Sequence, residues 1–182
     1  IIPTLGEQGK IAAVEVFAMR RATNFLNVVL ELTKSGSKDV KDTAYNALKA
    51  VVGEKDVTNL CGMRESAEPA AVAPVQQALV ASLSSQSASQ QVETITRRML
   101  QAGESKKYLY YWPLSTTGES KALWMIVDGF ENGKGDAKDA AFAALSNWKG
   151  LEVMDNLYAI AKDPASAYAE KALNSYVRLA SN

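Results

Sequence analysis

The sequence predicts an all-α fold: an α-α superhelix, or solenoid, of about five to six antiparallel helix pairs. Apolar residues recur at the three- and four-residue spacing of amphipathic helices along most of the chain. The segments that begin at Asp39 and Asp136 also resemble each other, and similar core positions return about every 30 residues. Because an isolated pair of short helices cannot bury its apolar face, a stack of pairs is the arrangement that this repetition favours.

The repeat is clearest when Asp39 is aligned with Asp136. The matched residues are Lys41 with Lys138, Asp42 with Asp139, Ala44 with Ala141, Ala47 with Ala144, Leu48 with Leu145, Asn59 with Asn156 and Leu60 with Leu157. The Ala-x-x-Ala-Leu core returns at Ala169, Ala172 and Leu173. Equivalent core positions fall at or near Met19, Leu48, Leu79, Leu114, Leu145 and Leu173. The predicted repeats, within a single domain of residues 1–182, are 1–36, 37–66, 67–103, 104–133, 134–163 and 164–182.

Local signals mark the helices of the first two repeats. Arg20-Arg21-Ala-Thr breaks residues 10–33 into two apolar faces, and Gly36 suits a left-handed cap after the second. Asp39 is predicted as the N-cap of the next helix, in which Val40, Ala44, Ala47, Leu48 and Val51 form the buried stripe. Gly53 then separates this helix from one that carries Val57, Leu60 and Cys61 on its apolar face.

Prolines and a polar loop shape the later repeats. Pro74 is expected to kink its helix or delay its start, and Pro113 to end or bend the next first helix. Residues 84–91, rich in Ser and Gln, are predicted as a loop before a helix with core residues Val92, Ile95, Met99 and Leu100. A Gly-rich link at 132–136 precedes the fifth repeat. The last helix is predicted from about Pro164 to Ala180, with Pro164 in its first turn.

Composition excludes several kinds of chemistry. The chain has 182 residues, 47% hydrophobic and 22% charged, with 20 Lys and Arg against 20 Asp and Glu. This balance disfavours general nucleic-acid binding, which needs many phosphate contacts. With no histidine and one cysteine, Cys61, a Ser–His or Cys–His pair, a disulfide within the chain and a cysteine zinc site are ruled out. We therefore predict no catalytic, cofactor-binding or metal-binding residues.

The chain carries no apolar run near the roughly 20 residues that cross a bilayer, so no membrane span is expected. It begins at Ile1 without Met or a signal peptide, which suggests a mature or excised piece of a longer protein.

Aromatic residues supply the candidate binding surface, which comprises Tyr108, Tyr111 and Trp124. In the cluster Tyr-Leu-Tyr-Tyr-Trp at 108–112, Leu109 and Trp112 are expected in the core, which leaves Tyr108 and Tyr111 as the more exposed pair. Exposed rings suit a sugar platform or an interface hot spot, although packing is the commoner role of such a cluster. Trp124 is offset from the apolar stripe of its own helix and is expected to be exposed.

Other candidates have simpler structural explanations. Trp148 is expected to plug the space between repeats, and Cys61 to be a buried, inert thiol. Ser35 and Lys38 have Ser-x-x-Lys spacing, but a glycine lies between them on a turn. The acidic pairs 39/42 and 136/139 lie at helix starts, where capping and the helix dipole explain them. Two Arg pairs, at 20–21 and 97–98, could contribute to a basic patch, and a repeat-type hydrolase or a DNA-modifying enzyme is the weakest alternative.

The pattern resembles HEAT-like repeats (ARM/HEAT α-solenoids), in which each unit is an antiparallel helix pair. More narrowly, residues 105–180 are similar to a helical-repeat region that accompanies jelly-roll domains of the 3-keto-disaccharide hydrolase type in secreted bacterial proteins. The matching residues are Ala122-Leu123, ALSNW at 144–148 and ALNSYVRL at 172–179, with Ser175 where that pattern has glycine. The resemblance implies an accessory module in a periplasmic or extracellular bacterial protein.

These observations predict a non-catalytic protein-interaction or scaffolding module of a larger protein. Its expected partner is a protein domain, in the same polypeptide or another, and nucleic acid is not expected. The alternative is a carbohydrate-binding or substrate-delivery module attached to a glycoside-hydrolase-like domain.

Overall fold

The computed structural model describes residues 2–181, except for the side chain of Pro3. Over these residues it contains eleven α-helices, five short 3-10 turns and no strand, so the all-α prediction is confirmed. Contacts divide the chain after Ser85 into two compact units, each described separately below. The single domain of 1–182 stays a prediction.

The N-terminal unit holds five α-helices. They are α1 (Glu7–Met19), α2 (Leu26–Leu32), α3 (Lys38–Val51), α4 (Val57–Glu65) and α5 (Pro69–Ser82). Helix α3 packs against both α1 and α5, while α2 packs on α3 and α4 packs on α5. The helices that open successive pairs, α1, α3 and α5, therefore pack on one another in chain order. Their buried stripes supply the core, which includes Val14, Ala44, Leu48, Val75 and Leu79.

The C-terminal unit holds six α-helices. They are α6 (Ala88–Ala102), α7 (Tyr111–Ser115), α8 (Ser120–Asn132), α9 (Asp136–Asn147), α10 (Met154–Lys162) and α11 (Ala169–Ala180). Helix α9 packs against α7 and α8, α10 packs against α11, and α11 also contacts α9. Here too, the helices that open successive pairs (the first helices) contact one another, in the order α7, α9, α11. Trp148 follows α9 directly and is fully buried, as expected.

Caps and charges fix several helix ends. Ser87 and Gln90 form a capping box at the start of α6, in which each side chain accepts a hydrogen bond from the other's backbone N–H. Gly103 ends that helix with a positive φ of 81°. Ser37, not Asp39, is the N-cap residue of α3, so that prediction was wrong by two residues. Asp39 instead lies in the first turn, where its charge interacts favourably with the helix dipole.

Three further predictions about the helices meet different outcomes. The break at residues 20–23 is confirmed, and Arg21 there has a left-handed φ of 48°. Helix α5 begins at Pro69 and continues past Pro74 to Ser82, so Pro74 does not delay its start. Leu100, predicted in the core, is 77% exposed because it lies beside the buried stripe of Val92, Ile95 and Met99.

The last helix begins at Ala169, so the prediction of a start at Pro164 was wrong. Residues 163–168 form turns in which two polar side chains hold the backbone. Asp163 accepts a hydrogen bond from the Ala165 N–H at 3.0 Å, and Ser166 accepts one from the Tyr168 N–H at 3.2 Å. Such local bonds offer the backbone an alternative to helix, which explains the later start.

Burial at the repeated core position differs between helices. Leu48, Leu79, Leu114 and Leu145 are at most 1% exposed. By contrast, Met19 of the first helix is 83% exposed and Leu173 of the last is 50% exposed. The expectation that Leu173 belongs to the core was therefore wrong. The same repeat position is therefore buried in α3, α5, α7 and α9 but exposed in α1 and α11.

Truncating the same repeat position in two helices tests this difference. Leu145→Ala is expected to lower the free energy of unfolding by about 2–5 kcal/mol, because it leaves a cavity in the core. Leu173→Ala is expected to cost less than about 1 kcal/mol, because half of that side chain already faces solvent. Urea unfolding followed by circular dichroism measures both losses. Equal losses would contradict the burial described above.

Candidate functional site

A concave feature at which aromatic and charged side chains meet lies within the C-terminal unit. It is a groove of about 440 Å³ bounded by α8, α9, α10 and the turn at 163–168. We call it the Tyr168 groove. Its lining residues are Val127, Phe130, Glu131, Lys138, Leu145, Asn156, Ala159, Ile160, Asp163, Ala165, Ser166, Ala167 and Tyr168. The volume is within the range of small-ligand and side-chain pockets.

A cluster of three rings forms one wall of the Tyr168 groove and the core behind it. Tyr168 meets Phe130 edge to face, with ring centroids 5.3 Å apart, and lies 4.7 Å from the ring of buried Phe142. Phe130 and Phe142 are 6.0 Å apart. Such contacts each add about 0.5–1.5 kcal/mol beyond area burial. The cluster therefore fixes the turn at 163–168 against α8 and α9.

One hydrogen bond orients the Tyr168 ring further. The Tyr168 hydroxyl donates to the carboxylate of Asp139 in the first turn of α9, at 2.5 Å. This bond to Asp139 raises the pKa of Tyr168 above its ordinary value of 10.0, because the carboxylate stabilises the protonated phenol. At physiological pH, the Tyr168 side chain in the groove wall is therefore a neutral phenol.

Charged groups stand at the rim of the groove. The ammonium of Lys138 lies 4.8 Å from the centre of the Phe130 ring, in a cation–π arrangement. Glu131 and Asp163, both exposed, provide carboxylates along the same lining. An apolar wall bordered by one cation and two anions suits a ligand that combines an apolar side chain with charged or amide groups, as a peptide does.

The predicted surface of Tyr108, Tyr111 and Trp124 is not brought together as one exposed patch. Tyr108 is half-buried, and Trp124 is 72% exposed, so the predicted exposure of Trp124 is confirmed. Tyr111 is only 2% exposed, and the prediction that it is exposed was wrong. Its ring packs against Gly129 of α8.

The backbone conformation of residues 108–112 explains why the predicted exposure of Tyr111 was wrong. Residues Lys107–Tyr110 form a 3-10 turn, and the α-helix begins only at Tyr111. A 3-10 turn rotates the chain further per residue than an α-helix does. Tyr110 and Tyr111 therefore turn inward, while Leu109 and Trp112, predicted in the core, are only half-buried.

A second cavity, of about 170 Å³, adjoins Tyr111 within the same unit. Lys107 forms an ion pair with Glu104 at 2.6 Å there, and the hydrogen bond to Glu104 raises the pKa of Lys107. Burial raises the pKa of Tyr111, with further contributions from Asp128 and Glu104, against the opposing effect of Lys107. Lys107 is thus held protonated and Tyr111 neutral, which is the less nucleophilic form of each.

Cys61, Ser35 and Lys38, for which the sequence suggested no chemical role, have the following surroundings in the structure. Cys61 is 4% exposed, so its predicted burial is confirmed. The Ser35 hydroxyl accepts a hydrogen bond from the Ser37 backbone, and Lys38 is bonded to Asp42. That bond to Asp42 raises the pKa of Lys38, the opposite of what a lysine base needs.

Sequence reasoning did not single out Lys138, Tyr168 or Asp163 as site residues. Lys138 entered only as a repeat match, and Tyr168 was placed inside a predicted helix. The ring contacts of Tyr168 join residues 26 and 38 positions apart, from Phe142 and Phe130 respectively. The one local signal was the Asp-Pro-x-Ser sequence at 163–166, which is typical of a turn.

Comparison of the chain with protein-family models, with curated proteins and with solved structures gives no match. The resemblance to HEAT-like repeats and to the helical region beside jelly-roll domains therefore stays a prediction. Within residues 2–181, no helix combines the length and apolarity that a bilayer crossing requires. The same residues contain no cluster of three or more acidic or cysteine side chains able to hold a metal ion.

Gly129 provides a test of the Tyr111 packing. A Cβ at this position would overlap the Tyr111 phenol, so Gly129→Ala is expected to destabilise the chain by about 1–3 kcal/mol. Gly62 of α4 is the matched control, because it is exposed and nothing lies within 4 Å of its would-be Cβ. Gly62→Ala should stabilise the chain by about 0.4–1 kcal/mol. Thermal unfolding compares the two, and a stabilising Gly129→Ala would refute the packing.

Proposed function

We propose that the chain is a non-catalytic protein-interaction module of a larger, secreted bacterial protein. In this proposal its helix pairs stack as a HEAT-like array that holds or presents a partner domain. The Tyr168 groove is the observation that carries the proposal. Its aromatic wall, its 440 Å³ volume and its mixed rim of Lys138, Glu131 and Asp163 suit a peptide segment of a protein partner.

The groove favours one kind of peptide. An apolar side chain of the ligand would fill the space beside Phe130 and Ile160, and a neighbouring carboxylate would pair with Lys138. Lys138 has no carboxylate within ion-pair distance among the described residues, so its charge is available to a ligand. Pairing there would be partly desolvated, which makes it worth more than a fully exposed ion pair.

Selection from a phage-displayed library of random peptides tests the interaction proposal. We expect enriched peptides to pair an apolar residue with an acidic one. Their affinity should fall at least tenfold on Ile160→Asp and on Lys138→Glu, and remain unchanged on Trp124→Ala. Circular dichroism confirms that each variant is folded. Failure to enrich any peptide, or peptides indifferent to both groove variants, would argue against the groove as an interaction site.

A carbohydrate-binding role is the second candidate, and Trp124 favours it. Its indole is 72% exposed on α8, which is the geometry of a platform on which a sugar ring can stack. Trp148, which is fully buried, offers an internal reference for fluorescence.

Fluorescence titration with mono- and disaccharides distinguishes the two candidates. Sugar binding predicts saturable quenching of tryptophan emission that disappears in Trp124→Ala. The interaction proposal predicts no saturable change, because the exposed indole then meets only solvent. Saturable quenching that persists in Trp124→Ala but is lost in Tyr108→Ala would assign the sugar to the half-buried tyrosine instead.

A further inference from the structure

The two residues of α9 that Tyr168 contacts have counterparts in α3 of the N-terminal unit. In the repeat alignment, Asp42 is matched with Asp139. The same alignment matches Tyr45 with Phe142. Both α3 residues line a groove of about 250 Å³ that is bounded by α3 and the start of α5, within the N-terminal unit. We call it the Tyr45 groove.

In the C-terminal unit the matched positions are occupied by a side chain of that unit. The ring of Tyr168 lies 4.7 Å from the ring of Phe142, between centroids. The Tyr168 hydroxyl donates to Asp139 at 2.5 Å. Tyr168 is the N-cap residue of α11, the next first helix. An aromatic ring with a phenol hydroxyl is therefore what these two positions hold where they are occupied.

The Tyr45 groove lacks a counterpart of Tyr168 among the residues that the structure describes. The residues that line it from α5 and its N-cap carry neither an aromatic ring nor a hydroxyl: Glu68, Ala70, Ala71 and Pro74. The exposure of the ring beneath differs accordingly. Phe142 is 6% exposed, whereas its match Tyr45 is only half-buried. The place that a ring fills on α9 is thus open on α3.

The carboxylate of Asp42 is accessible to a ligand, because its side chain is 45% exposed. Its Oδ2 accepts a hydrogen bond from the ammonium of Lys38, whose side chain is 84% exposed. Exposed ion pairs of this kind on a helix are weak. The other oxygen, Oδ1, accepts no hydrogen bond from the described residues. A phenol that donates to it would form a charge-assisted bond, which is stronger than a bond between neutral groups.

We propose that the Tyr45 groove binds a tyrosine side chain of a partner polypeptide, in the position that Tyr168 occupies against α9. The ring of the bound tyrosine packs on Tyr45, and its hydroxyl donates to Asp42. A phenylalanine would pack in the same way but would make no bond to Asp42, so tyrosine is preferred. The Tyr45 groove shares no lining residue with the Tyr168 groove, so this second site goes beyond the proposed function of the first.

A peptide with the chain's own sequence at 163–170 is the probe, and the same peptide with Tyr168→Phe is its matched control. In the whole chain Tyr168 already fills the position on α9, so the matched position on α3 is the one open to the peptide. Amide chemical shifts of the whole chain, followed by NMR, should change saturably at residues 42–46. The phenylalanine peptide should bind about tenfold more weakly, because it lacks the bond to the carboxylate.

Two variants of the whole chain test the role of Asp42. Asp42→Ala should lower the affinity for the tyrosine peptide to that for the phenylalanine peptide. Asp39→Ala is the control, because it removes an exposed carboxylate three residues earlier on α3 that does not line the groove. It should leave both affinities unchanged. Circular dichroism confirms that each variant is folded.

The opposite results overturn the inference. They are the absence of saturable shifts at residues 42–46, equal affinity for the two peptides, or equal losses in Asp42→Ala and Asp39→Ala. Shifts confined to Phe130 and Ile160 would assign the peptide to the Tyr168 groove. If library peptides still require Lys138 and Ile160, the interaction function stands although the inference about the Tyr45 groove has failed.

Discussion

The short helices of this chain bury their leucines only by packing against neighbouring helices. The helices are seven to fifteen residues long apart from the five-residue α7, and none can bury an apolar face alone. Alanines at the recurrent positions, such as Ala44 and Ala141, let the neighbours approach, and the leucine fills the remaining space. The repeated contact between consecutive first helices of each pair is the consequence, and Leu173, at 50% exposure, is covered less than its equivalents in α3 and α9.

The Tyr168 groove follows from the same constraint. Helix α8 packs on α9, and residues of α10 and of the turn at 163–168 line the space beside them. Ring contacts and the bond to Asp139 hold Tyr168 in that turn. The groove is therefore a gap between packed helices whose walls are already ordered. A ligand that enters it need not pay for ordering the site, which favours binding at modest contact area.

Much of the fold could be predicted from the sequence, because the three- and four-residue spacing of apolar residues indicates directly which residues of α3 and α9 are buried. The exposure of Trp124 also followed from its offset within one regular helix. Tyr111 was misplaced because the preceding 3-10 turn changes the rotation per residue, which apolar spacing does not record. Leu173 was misplaced because its burial depends on a neighbour and not on its own sequence. Tyr168 required both a turn and the packing of two distant helices, so no local pattern could place it.

Residue-resolved amide hydrogen exchange measures how much each helix is stabilised by the helices packed against it. If packing on neighbouring helices sets this stability, the core amides of α9 exchange only through global unfolding, whereas those of α11 exchange through local opening at a lower free energy. The same order should hold in the N-terminal unit, with α3 protected more than α1. Protection of α11 equal to or above that of α9 would show that packing on neighbouring helices does not set their stability.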